Sequence, residues 1–250
     1  MNRRFVFGFF AVFLAGALFG ASCLQFYFYS TFLSDSLSGL SVDELYARSF
    51  LDVMVVAQNM TYSGLTPVVE ENADLVWKGD PGNRSVLVVV FTRFGSSYPV
   101  GQIVNTTWGE TYVTLAPDIK EFFANNVAGD ANLTLRAAQL LGLPPTTANT
   151  YFVELWVSPT CLFRPSADNE ITDTTAQIAF PDSVTDEFRQ WYNDYIIYAY
   201  YPPRFPWTRL GYTYDWGNSG SHVGLSEFVI SANALVEVES VSLVDDYLNP

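Results

Sequence analysis

Apolar positions along this chain fall into three patterns: one unbroken run near the N-terminus, stripes at helical spacing, and short β-branched or alternating stretches. The unbroken run, FVFGFFAVFLAGALFGASCLQFYFYSTFL over residues 5–33, contains no charged residue and exceeds the roughly 20 apolar residues that cross a bilayer. Arg3 and Arg4 precede it and the acidic SDSLSGLSVDEL follows. That bias predicts a cytoplasmic N-terminus at 1–4, a transmembrane signal anchor at 5–33 and a body on the far side of the membrane. Two other readings give the same side: a cleaved signal peptide ending near Gly20-Ala21-Ser22, or a lipidated Cys23 in a lipoprotein-like box where Gly20 replaces the usual large aliphatic residue.

Ser41-Val-Asp-Glu44 is a capping box, and Tyr46, Phe50, Val53, Met54 and Ala57 behind it predict a helix over 42–58. Residues 63–83 are polar and rich in turn formers, and predict a loop. SVLVVVFT at 85–92 predicts a central strand covered on both faces, and further strands are expected at 99–105 and 110–115. Pro117 opens a short helix with Ile119, Phe122 and Phe123 on one face. Another follows Asn132, bearing Leu133, Ala137, Leu140 and Leu141 and ended by Gly142 and two prolines. Strands at 151–157 and 174–180 flank a polar loop, and Pro181-Asp-Ser183 starts the longest helix, with its stripe from Val184 through Trp191 and Tyr195 to Ala199. Leu210, Tyr212, Tyr214 and Trp216 alternate with smaller or polar residues, and β-rich stretches at 226–230 and 235–243 close the chain.

Strands and helices come in groups rather than in regular alternation. The expected fold is therefore α+β: one extracytoplasmic domain over 34–250 with a mixed, mostly antiparallel sheet and about four helices.

Composition narrows the chemistry. A net charge of -14 with only two lysines disfavours nucleic acid as a partner, because a phosphate backbone is repelled. Two cysteines and a single histidine are too few for a structural zinc, haem or iron-sulfur site, which leaves oxygen-ligated divalent cations such as calcium as the one conceivable metal class. No Gly-rich phosphate-binding pattern occurs, so no cofactor is expected. Asn59, Asn83, Asn105 and Asn132 each head an N-glycosylation acceptor triplet, which fits a body outside the cytoplasm.

Two constellations could carry function. In the loop from Cys161 to Asp173, Asp168 and Glu170 could ligate a hard cation or act as an acid and base pair beside Arg164; equally, Arg164 could pin the loop by pairing with them. In the ribbon from 206 to 227, Tyr212, Tyr214 and Trp216 could form a stacking platform with Arg209, Asp215 and Glu227 as polar contacts, or they could be the inner face of a packed strand. His222 is the only imidazole, so a hydrolase or lyase near neutral pH would need it in one cleft with Asp168 and Glu170, Arg164 or Arg209 holding an anionic substrate group. The leading expectation is a membrane-tethered binding module for an unknown extracytoplasmic ligand or protein, with that enzyme and a structural envelope protein as the alternatives.

Overall fold

A computed structural model describes residues 39–249 except 56, 58 and 130. The segment expected to cross the membrane, with Cys23 inside it, lies outside the described residues; among those described, no helix is long and apolar enough to do so. The chain divides into two units, Met1–Leu45 and Tyr46–Pro250. What is described of the first is the start of helix α1 (Val42–Met54) and its cap: the Ser41 amide donates to the Glu44 carboxylate at 2.8 Å and the Glu44 amide donates back to Ser41 Oγ at 3.3 Å. The helix stops four residues short of its expected end.

The second unit is organised by β3 (Ser85–Thr92), whose run of valines is buried on both faces as its composition predicts. It pairs with β6 (Tyr151–Val157) over seven residues on one side and with β5 (Thr111–Leu115) on the other. The sheet continues outward from β6 through β12 (Leu235–Leu243) to β4 (Ile103–Asn105), and from β5 through β11 (Phe228–Ile230) to β7 (Leu162–Phe163); β2 (Trp77–Lys78) adds to the start of β3. Every one of these pairings is antiparallel, so the sheet is not mixed. Two further pairs stand apart: β1 (Thr61–Tyr62) with β8 (Ala176–Gln177), and β9 (Tyr212–Tyr214) with β10 (Val223–Ser226). The strand expected at 174–180 shrinks to β8 because Ala176 alone in that span is buried.

Register sorts the sheet residues into two faces. Val86, Val88 and Val90 share one with Val153, Leu155, Val113 and Phe228, covered by Val68, Leu75 and Ile171 from the long loops. Leu87, Val89, Phe91 and Phe152 share the other, beneath α2 (Ala116–Asn126), α3 (Leu133–Leu140) and α5 (Val244–Leu248). Each fully buried side chain here contributes roughly 1.5–3 kcal/mol. Among the described residues α5 is a fifth helix, one more than the four expected of the domain.

Helix α4 (Asp186–Tyr200) covers the rest of that face. Tyr112 pairs with Val229 and Val229 with Phe163, which places the three side chains in one row across β5, β11 and β7. Tyr195 stacks on Tyr112, and Phe188 and Trp191 pack edge-on against Phe163. The helix begins later than expected because Thr185, not Ser183, caps it, accepting from the Phe188 amide.

Candidate functional site

Arg164 is fully buried, and its two terminal nitrogens are spent on the loop around it, while its Nε is buried without a hydrogen-bond partner. It donates to the carbonyls of Thr175, Thr66, Ile171 and Asp173, with carboxylate oxygens of Asp173 and Glu170 at 3.4 and 3.7 Å. This is the pinning geometry, with backbone carbonyls taking most of the donors. Burial pulls its pKa down and the carboxylates of Glu170 and Asp173 oppose that. Glu170 closes its own turn by accepting from the Thr172 and Asp173 amides. Burial, with the charges of Glu170 and Asp173, pushes Asp168 up. Among the described residues no group of three His, Cys, Asp or Glu side chains is placed to hold a metal ion.

The aromatic ribbon is largely an inner surface. Trp216 is buried with its indole N–H donating to the Leu143 carbonyl, and Asp215 is buried in a two-pronged pair with Arg136 of α3, at 2.9 and 2.5 Å. Tyr214 is buried and donates to Asp52 at 2.6 Å. His222 lies flat on the Tyr214 ring, 4.8 Å between centroids, with Nδ1 3.1 Å from the Asp215 carbonyl. Arg209, in the left-handed region at φ 61, donates to the Val53 carbonyl and faces the Tyr200 ring. Gly211 joins the two candidate regions: at φ +73 it comes so close that a Cβ would meet Leu65 at 2.9 Å and Arg164 at 3.2 Å.

A cavity of about 160 Å³ opens on the helix-covered face, between the α3 end and α4. Val89, Phe91, Thr114 and Phe152 of the sheet form its floor. Its walls come from residues 141–143 after α3, Tyr195 of α4, residues 205–208 and β9. Two bonds fix the 205–208 wall: Trp207 Nε1 donates to the Pro165 carbonyl at 2.8 Å, and the Tyr200 hydroxyl to the Trp207 carbonyl at 2.5 Å. Tyr212, Tyr214 and Glu227 are the expected site residues that line it; Asp168, Glu170, His222, Arg164, Arg209, Asp215 and Trp216 are not among its walls.

Glu227 is the cavity's only charged residue type. It sits at the break between β10 and β11, where its amide donates to the Gly211 carbonyl at 2.9 Å. Its side chain is half-buried on the cavity wall, and burial pushes its pKa up to about 8 with no hydrogen bond or charge opposing. The Tyr112 hydroxyl beside it is also buried without a hydrogen-bond partner. Burial first, then the neighbouring Tyr195 and Glu227, raise the Tyr112 pKa well above its ordinary value; the two tyrosine hydroxyls are close enough to influence each other but do not meet in a full hydrogen bond.

Neither Tyr112 nor Tyr195 is among the expected site residues: Tyr195 stands in the helical stripe, and only the alternation of TYVTL hints that Tyr112 faces away from Val113. The four acceptor asparagines, Asn59, Asn83, Asn105 and Asn132, are all exposed, and Asn132 also caps α3 by accepting from the Leu135 amide. In comparison with known proteins, no protein-family model, no curated protein and no solved structure matches this chain.

Proposed function

We propose that the domain is a binding module that takes a small, largely apolar molecule into the cavity beside β5 and α4, with Glu227 as the group that orients it. The observation behind this reading is a half-buried carboxyl on the wall of an aromatic cavity, with burial alone acting on it and no hydrogen bond or charge opposing. Leaving a polar group unpaired in apolar surroundings costs about 1–3 kcal/mol, and such groups concentrate where a ligand completes them. The volume is comparable with the ~150 Å³ engineered cavity that accepts benzene, which sets the scale of the ligand. No Lys, Arg or His stands in the walls, so an anionic ligand would meet a carboxyl and no counter-charge among them. The apolar run at 5–33 and the exposed acceptor asparagines support a tether that presents this module beyond a membrane.

The test is a thermal-shift screen of the full chain in detergent micelles against small neutral and cationic compounds, repeated with Leu143→Trp to fill part of the cavity. The expected result is a concentration-dependent rise in Tm that the variant abolishes. A panel without effect, or a shift that survives Leu143→Trp, would sink the proposal.

A further inference from the structure

The cavity walls define the charge a ligand must bring. Eight of the eighteen lining residues are aromatic, among them Tyr112, Tyr195, Trp207 and Tyr212, and Glu227 is the one acid. The titratable groups around Glu227 from each neighbouring element are Tyr112 on β5, Tyr195 on α4, Tyr212 and Tyr214 on β9, and more distantly Glu110 ahead of β5. All are neutral or, once ionised, negative, so none of these groups and no residue lining the cavity can neutralise a Glu227 carboxylate. A neutral ligand would leave the carboxyl protonated. A cation would instead displace that proton and supply the missing counter-charge, while aromatic rings favour cations through their negative faces. The whole chain, at -14, attracts cations toward such a site.

We infer that the ligand of this cavity is a small organic cation of the alkylammonium class, paired with the Glu227 carboxylate and surrounded by the aromatic side chains of β5, β9, α4 and the 205–208 wall. The inference rests on the cavity being a binding site at all. Binding then ejects one proton: the carboxyl O–H bond breaks, the proton goes to buffer, and the carboxylate pairs with the cation.

The experiment is calorimetric titration of the full chain in detergent with choline and with its uncharged isostere 3,3-dimethyl-1-butanol, at pH 6 and pH 9 and in two buffers of different ionisation enthalpy, for wild type, Glu227→Gln and Leu143→Trp. With Glu227 titrating at about 8, choline affinity should rise roughly tenfold per unit from pH 6 toward that value, with close to one proton released per ligand at pH 6. Glu227→Gln should erase the pH dependence and weaken choline at pH 9 at least tenfold, with the isostere unaffected. If the isostere binds as tightly as choline at pH 9 and Leu143→Trp abolishes both, the cavity reading stands and the cation inference is overturned. If choline binds but Leu143→Trp changes nothing, both are overturned. If neither compound binds, the cation inference falls, and the thermal-shift panel alone decides the cavity reading.

Discussion

Glu154 and Glu227 lie at two ends of the same covered sheet face, and their surroundings could hardly differ more. Glu154, in the middle of β6, accepts from Lys120 Nζ of α2 at 2.7 Å, Ser240 Oγ of β12 at 2.9 Å and the Tyr247 hydroxyl of α5 at 2.9 Å. Burial pushes its pKa up, but the three donors outweigh that and hold it below the ordinary carboxylate value. Glu227 feels burial alone and rises to about 8. The difference comes from what covers the sheet. Helices α2 and α5 each bring a donor to Glu154, whereas α4 and the 205–208 wall bring rings to Glu227. A carboxyl whose partners are all internal is part of the architecture; under the proposed function, the partner of the other comes from outside.

The largest expected effect is Glu227→Gln under alkaline conditions. The folded protein holds the Glu227 proton up to about pH 8, while the unfolded chain releases it near 4.5. Protons are therefore bound more tightly in the fold between those values, and stability is full below the lower one and declines as pH rises through the upper one. A shift of this size corresponds to as much as about 5 kcal/mol by pH 9. Glu227→Gln should stabilise the protein by a large part of that amount at pH 9 and by almost nothing at pH 4, read from urea unfolding. Parallel pH profiles for variant and wild type would mean that Glu227 is solvated.

The same change at the other end should act in the opposite direction. Glu154→Gln removes the charged acceptor of three donors and should destabilise by about 2 kcal/mol at pH 7. Because the folded pKa of Glu154 is depressed, its contribution is present above the unfolded value and is lost as pH falls through the folded one. The gap between wild type and Glu154→Gln should therefore close in acid. A gap that widened there would invert the contrast between the two glutamates.

These two environments were unequally legible in the sequence. The run 85–92, the helix after Asn132 and the helices at Pro117 and around Trp191 declared themselves through spacing and end signals, which are local. Helix α5 did not, because VDDYL is too short to show a period. The ribbon yielded Glu227, Tyr212 and Tyr214, but their partners Tyr112 and Tyr195 meet them only through the β5–β11–β7 register and the docking of α4. The residues that looked most chemical, Arg164 and Asp215, proved to be buried and engaged by internal partners. Charge density along the chain marks polar networks of either kind and does not separate them.

The smallest effect gives the cleanest test of the contrast between the two glutamates, since one chemical change can be made at both ends. Tyr247→Phe keeps the ring on Phe152, stacked at 4.8 Å, and removes only the hydroxyl that donates to Glu154. With Lys120 and Ser240 still in place, the loss should be about 1 kcal/mol. Tyr112→Phe keeps the ring on Tyr195, stacked at 5.5 Å, and removes a hydroxyl that is buried without a partner. Deleting an unsatisfied group relieves its desolvation, so this variant should be neutral or up to about 1 kcal/mol more stable. Urea unfolding of both variants at pH 6, where Glu227 is protonated, measures the pair directly. If Tyr112→Phe lost as much stability as Tyr247→Phe, the Tyr112 hydroxyl would have an internal acceptor, and the α4 end of the sheet would be as self-contained as the α5 end.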